Sequence, residues 1–234
     1  MVGIHSCLEA LAVRPDLVRE IYFADLNESR MEPFASALAK VRVKPQAKSQ
    51  GAFREFSEFG HQGVAVGTDY WPEWDNNNSE NSLLLFLDGL EDPHNLGAVI
   101  RTAWLMGVDC VGVTEKNSVK MNATVCKVAS GGCEHVPVQE FNFVSDLKDF
   151  KDQGYWIYGF SDKATKGLYE TQFPPKSVLV FGSEEKGLRS SVMNMCDEVL
   201  SIPQAAAGAS YNVSVSVAIG LAEVRRQAHQ IQTK

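Results

Sequence analysis

The run Leu83-Leu84-Leu85-Phe86-Leu87, closed by Asp88-Gly89, constrains this chain more than any other feature. A strand with one wet face alternates apolar and polar residues, and five large apolar residues in succession leave no wet face. Such a strand belongs inside a parallel sheet covered by helices on both sides. The same texture recurs downstream, where residues 108–113, 156–160, 177–182 and 198–202 read as further strands. Helices are expected from about 96 to 106, stopped by Gly107, and over 125–130. A last helix begins near Asn212, with Val213, Val217, Leu221 and Val224 on its inner face. Strands alternating with helices predict an α/β fold on a parallel sheet.

The front of the chain has a different texture. Ser6-Cys7-Leu8-Glu9 has capping-box spacing, Ser at the N-cap and Glu three residues on. Leu8 and Leu11 share a helical face before Pro15 ends it. Residues 18–23 and 62–66 read as strands, 31–40 as a helix and 41–43 as a short strand, giving a small mixed α/β unit. Residues 72–82 are polar, begin with Pro and lack periodicity. They mark a boundary, either a flexible linker or a long surface loop. The expected organisation is a unit over 1–71, a linker over 72–82 and a larger domain over 83–234.

Charge and cysteine usage exclude some classes. The formal net charge is −7, which argues against a protein that coats nucleic acid nonspecifically through Lys and Arg. It leaves room for an RNA substrate on a local basic patch. The five cysteines are Cys7, Cys110, Cys126, Cys133 and Cys196, and none has the two-residue gap of a zinc or redox site. No metal is expected. No apolar run reaches the ~18 residues of a membrane span, and the N-terminus lacks signal-peptide order, so a cytoplasmic protein is expected.

Three segments carry polar groups at strand ends. The first is Asp88-Gly89-Leu90-Glu91-Asp92-Pro93-His94-Asn95-Leu96-Gly97, followed by Arg101. Asn95 falls at a helix start, where capping is its ordinary use. Leu96, Val99, Ile100 and Ala103 form the apolar stripe, so Arg101 projects away from it. The second is Gly182-Ser183-Glu184-Glu185-Lys186-Gly187, a glycine-bounded loop without phosphate-loop or dinucleotide spacing. The third runs from Ile202-Pro203 through Ala205-Ala206-Ala207-Gly208 to Ser210-Tyr211-Asn212-Val213-Ser214. Ser210 and Asn212 also have helix capping as their plain role.

In this order and spacing the three segments resemble the SpoU/TrmH family of the SPOUT superfamily. The shared patterns are D-P-x-N-x-G-x-x-x-R, G-x-E-x-x-G, and I-P followed by S-L-N-V-S-V-A. The resemblance covers about the last 150 residues. Gly3-Ile4-His5 and His61-Gln62-Gly63 extend it, more weakly, to the subgroup that methylates guanosine 2′-hydroxyls in bacterial 23S rRNA.

The resemblance implies an S-adenosylmethionine-dependent RNA methyltransferase acting on a ribose 2′-hydroxyl. It also implies a C-terminal trefoil knot, an L30e-like N-terminal RNA-binding unit and a homodimer joined partly through the last helix. By position, Gly182, Ile202 and Tyr211 would contact the cofactor, largely through backbone. Arg101 would act as base or phosphate clamp, with Asn95, Glu184, Ser210 and Asn212 around it. The 2′-hydroxyl makes the substrate RNA rather than DNA, with rRNA favoured over tRNA. Tyr211 stands where the family pattern has Leu, and Ser216 where Ala is frequent. The competing readings are a tRNA 2′-O-methyltransferase, a noncatalytic RNA-binding relative and a Rossmann-type nucleotide-binding protein. The last should show a glycine fingerprint that Asp88-Gly89-Leu90 does not supply.

Overall fold

The computed structural model describes residues 1–49, 53, 61–76, 79–206 and 209–232. Two sheets organise them. In the smaller, β1 (Val18–Phe23) lies between β2 (Gln46–Ala47), parallel to it, and β3 (Val64–Thr68), antiparallel to it. Helix α1 (Ile4–Val13) packs Cys7, Ala10 and Leu11 against Ile21, Phe23 and Val64.

Four expectations for this unit need correction. Helix α1 starts at Ile4, so Ser6 lies inside its first turn instead of capping it. The Ser6 hydroxyl donates to the Cys126 carbonyl at 2.7 Å. The open amide of Ile4 instead donates to Gln62 Oε1 at 3.0 Å, a cap delivered from 58 residues away. Gln62 and Gly63 have φ of 53° and 77°, a turn and not a strand, so β3 starts only at Val64. Residues 31–40 are not one helix: α2 (Glu28–Met31) gives way to a 3-10 turn (Glu32–Phe34) and then α3 (Ala35–Leu38). Pro33 lacks the amide that a continuous helix needs. Residues 41–43 form no strand; Val41 and Val43 pack at the rim of the core.

The larger sheet is parallel at every pairing. Its strands are β4 (Ser82–Asp88), β5 (Cys110–Thr114), β6 (Val138–Phe141), β7 (Trp156–Phe160), β8 (Lys166–Gly167), β9 (Lys176–Gly182) and β10 (Glu198–Ser201). Their order is β6-β5-β4-β9-β7-β10-β8. Its helices are α4 (Pro93–Leu105), α5 (Ala123–Ala129), α6 (Phe143–Asp152), α7 (Ser190–Met193) and α8 (Val213–Gln232). The expected two-sided burial of β4 is met. Leu83, Leu85 and Leu87 join the core with α4, α5 and α8, while Leu84 and Phe86 join the core with α6 and α7. Each fully buried leucine of this kind contributes roughly 2 kcal/mol. The last helix uses the expected inner face, with Val213, Val217, Leu221 and Val224 all buried.

A polar joint links the two sheets. Arg14 pairs with Glu134 at 2.5 Å, and the Glu134 side chain is 1% exposed. Glu9 meets His135 at 2.9 Å, and the His135 ring stacks on Trp104 at 4.3 Å between centroids. The expected linker is packed at two points: Trp74 lies against Phe150 and Phe141, and Asn76 donates to Gln153 Oε1 at 2.7 Å. Residues 77 and 78 of that segment lie outside the described residues, as do Ala207 and Gly208. Among the described residues, no helix is long and apolar enough to cross a membrane.

Candidate active site

A parallel sheet opens a crevice where strand order reverses, at the carboxyl ends of the strands. Here β4 and β9 are neighbours at that point, with Asp88 opposite Gly182. The first and second polar segments are therefore brought side by side by the sheet itself. Asp88, buried at the end of β4, accepts from the backbone amide and Nε of Arg189 at 2.9 and 2.7 Å.

Helix α4 begins at Pro93, and Asp92 is its cap, accepting from the His94 amide at 2.9 Å. This frees Asn95 from capping. Its side chain is buried and turned toward the second segment. The loop after β9 folds back on itself, with the Gly187 amide donating to the Ser183 carbonyl at 2.8 Å. A Cβ on Gly182 would sit 2.0 Å from the Gly187 carbonyl carbon, so the glycine exists for the loop's own closure. Asn212 caps α8, its Oδ1 accepting from the Ser214 amide at 2.9 Å and the Ser214 hydroxyl at 2.6 Å.

The three segments meet in one hydrogen-bonded cluster. Asn95 Nδ2 donates to Glu184 Oε1 at 3.1 Å, and Asn212 Nδ2 donates to the same oxygen at 2.5 Å and to Asn95 Oδ1 at 3.0 Å. Bonds to a carboxylate are stronger than neutral ones, so the cluster is a stiff bridge between the loops. Gly97 of the first segment is structural: a Cβ there would lie 2.6 Å from the Val128 side chain and 2.8 Å from the Val125 carbonyl, where α4 and α5 cross.

Beside the cluster is a cavity of about 370 Å³, within the usual range for a small-molecule site. Phe181, Leu200, Ile202 and Val213 make its apolar wall, and Gly182, Glu184, Ser210 and Tyr211 line it too. Phe160 stacks on Phe181 with centroids 4.1 Å apart and planes 11° from parallel, giving a flat apolar surface. The Tyr211 hydroxyl donates to the Pro203 carbonyl at 3.4 Å and ties the ends of the third segment together. A flat apolar wall suits an adenine, and carboxylates at the rim suit a sulfonium cation. S-adenosylmethionine fits this donor set. A second cavity of about 300 Å³ lies across the 183–187 loop, lined by Asp88, Glu91, Thr114, Asn117 and Arg189.

Seven of the eight expected site residues are thus gathered here: Asn95, Gly182, Glu184, Ile202, Ser210, Tyr211 and Asn212. Arg101 stands apart. It lies six residues beyond Asn95 on α4, roughly 9 Å along the axis, exposed, with Nη1 at 3.5 Å from Ser130 Oγ. Sequence reasoning missed the Asp88–Arg189 pair and the turn after β7, which also lines the larger cavity. Asp88 carried a signal: it is the one charge on β4 and directly follows the apolar run Leu83–Leu87.

A parallel α/β sheet with an adenosyl-sized cavity at its switch point, braced by an amide–carboxylate cluster, is the build of a cofactor-dependent transferase. The chain belongs to the SpoU rRNA Methylase family, which it matches over residues 82–222. It is 34% identical over 235 residues to the 23S rRNA (guanosine-2'-O-)-methyltransferase RlmB of Pseudomonas aeruginosa, a match covering 96% of this chain and 95% of that protein. In fold it resembles the SpoU methyltransferase AviRb from Streptomyces viridochromogenes, solved with AdoMet, at a TM-score of 0.84 and 20% identity over 98% of this chain and 89% of that one. A structure bearing on 2-OH methylation of C/U34 on tRNA matches at a TM-score of 0.59 and 26% identity, over 65% of this chain and 99% of that one.

Proposed function

We propose that this protein transfers a methyl group from S-adenosylmethionine to a ribose 2′-hydroxyl in 23S rRNA, at a guanosine. The observation that carries the reading is the Asn95–Glu184–Asn212 cluster, three distant segments locked together at the rim of the cavity. S-adenosylmethionine supplies a methyl group on a sulfonium, which leaves as a neutral thioether. The chain has to orient the hydroxyl and manage one proton. Asn95, Ser210 and Asn212 orient the ribose, and Glu184 holds the two asparagines in place. Gly182, Ile202 and Tyr211 hold the cofactor. Arg101 enters no ion pair among the described residues, so its guanidinium is available to an RNA phosphate and to charge developing on oxygen. A guanidinium does not give up its own proton near neutrality, which favours the clamp over the unaided base, with the hydroxyl proton passing to solvent as the oxygen takes the methyl group.

The rRNA reading rests on coverage. The rRNA relative matches across 96% of the chain, front unit included, whereas the tRNA-related structure matches 65%. Residues 1–71 are read as an L30e-like RNA-binding unit, 72–82 as its connection and 83–234 as the methyltransferase domain with a trefoil knot. A homodimer through the knotted domain is part of the same reading, as the family resemblance implies. The test is labelling with methyl-tritiated S-adenosylmethionine on separate 23S rRNA and tRNA pools from a strain lacking the protein, then mass-spectrometric mapping. One 2′-O-methylguanosine in 23S rRNA is expected. Label confined to tRNA would overturn the rRNA assignment, and cofactor binding with no labelled RNA would overturn catalysis.

A further inference from the structure

The turn after β7 contributes a pair of opposite charges that the roles above leave unused. The Ser161 amide donates to the Leu200 carbonyl at 3.0 Å, fixing the turn to β10. Ser161 then closes it, its carbonyl accepting from the Ala164 amide at 3.2 Å and its hydroxyl from the Lys163 amide at 3.3 Å. On this fixed turn, Asp162 and Lys163 line the 370 Å³ cavity and are exposed. Neither has an ion pair or side-chain hydrogen bond among the described residues. Nearby lysines differ: Lys166 is paired with Glu198 at 2.5 Å and Lys151 with Asp197 at 2.8 Å.

The other charges of the cavity are shared. Glu184 is bonded to the two asparagines, and Glu185 and Lys186 also line the second cavity. Asp162 and Lys163 are the free charges that belong to the larger cavity alone. One carboxylate beside one ammonium is the complement of an α-amino acid, which presents one ammonium beside one carboxylate. We propose that Asp162 and Lys163 bind the aminocarboxylate tail of the cofactor, Lys163 taking its carboxylate and Asp162 its ammonium. The inference rests on the cofactor assignment above. It makes affinity depend on the tail as well as on the adenosyl half held by the apolar wall. Charge-assisted contacts at a partly wet site give effects of about tenfold.

Calorimetric titration of the full chain with S-adenosylhomocysteine and with 5′-methylthioadenosine, which lacks the aminocarboxylate, tests this. Lys163→Ala and Asp162→Ala are each expected to weaken S-adenosylhomocysteine by about tenfold and leave 5′-methylthioadenosine unchanged. Lys163→Glu should weaken the first ligand further, and added salt should weaken only the first in the unaltered protein. Equal losses for both ligands, or no loss for either, would overturn the proposal while leaving the cofactor assignment standing. Failure of the unaltered protein to bind either ligand would overturn the cofactor assignment, and this proposal with it.

Discussion

The two sheets place their polar side chains to different ends. In the seven-stranded sheet, Asp88, Asn95, Glu184 and Asn212 collect at the carboxyl ends of strands, beside cavities. In the smaller unit, Ser6 and Glu9 on α1 and Arg14 just beyond it reach outward to Cys126, His135 and Glu134 of the other unit. One set is arranged for a ligand and the other for a joint. The difference teaches where the two are coupled. The joint lands on residues 126–135, and the same segment carries Ser130, the contact of Arg101. The front unit is thus anchored to the stretch that contacts Arg101, the one expected site residue lying away from the cavity.

The sharpest way to break this contrast is to remove one cation on each side of it, the one expected to serve the RNA and the one that holds the joint. Arg101→Ala should reduce single-turnover methyl transfer by about 10³-fold, the scale of losing a main charge stabiliser. Its melting temperature and S-adenosylhomocysteine affinity should not move, because Arg101 is exposed and away from the cavity. Full activity with normal folding would remove Arg101 from the mechanism. Arg14→Ala is the reverse case. It strands the Glu134 carboxylate, whose Oε1 already lacks a hydrogen-bond partner, and should cost about 3 kcal/mol in urea unfolding. Cofactor affinity should be retained. Unchanged stability would mean that the joint is not held by this pair.

The contrast extends to what the sequence reveals. The apolar runs of the large sheet are legible because burial on both faces leaves a local mark on every residue. Five of its seven strands were expected, but β6 and the two-residue β8 were not. Helix α6 had a readable signature, an Asn142 cap and buried Phe143, Leu147 and Phe150 at helical spacing, and was still missed. In the front unit, local signals misled. Ser6-Cys7-Leu8-Glu9 has capping spacing, yet the cap comes from Gln62, a contact that only tertiary structure creates. The site was legible as three motifs through family resemblance. That Asn95 is released from capping by Asp92, or that Glu184 joins both asparagines, depends on loops meeting across the sheet, and residue order does not carry that.

The smallest expected effect is a pair of opposite pH slopes. Burial pushes the Glu134 carboxyl above its ordinary 4.5, and Arg14 only partly opposes this. The native state therefore holds that proton more firmly than the unfolded chain. The Glu134 contribution is fully present below 4.5 and is lost as pH rises through the folded value. Glu223 on α8 goes the other way. The Arg226 hydrogen bonds hold its carboxyl below 4.5, with help from Gln227 and against burial. Its contribution is present above 4.5 and is lost as pH falls through the folded value. Urea unfolding of Glu134→Gln and Glu223→Gln over roughly pH 3 to 7 separates them. The stability of the unaltered protein relative to Glu134→Gln should decline with rising pH, and relative to Glu223→Gln it should climb. Slopes of one sign would mean that the carboxylates of the joint and of the last helix sit in equivalent surroundings, and the distinction between the two regions would fail at the buried carboxylate of the joint.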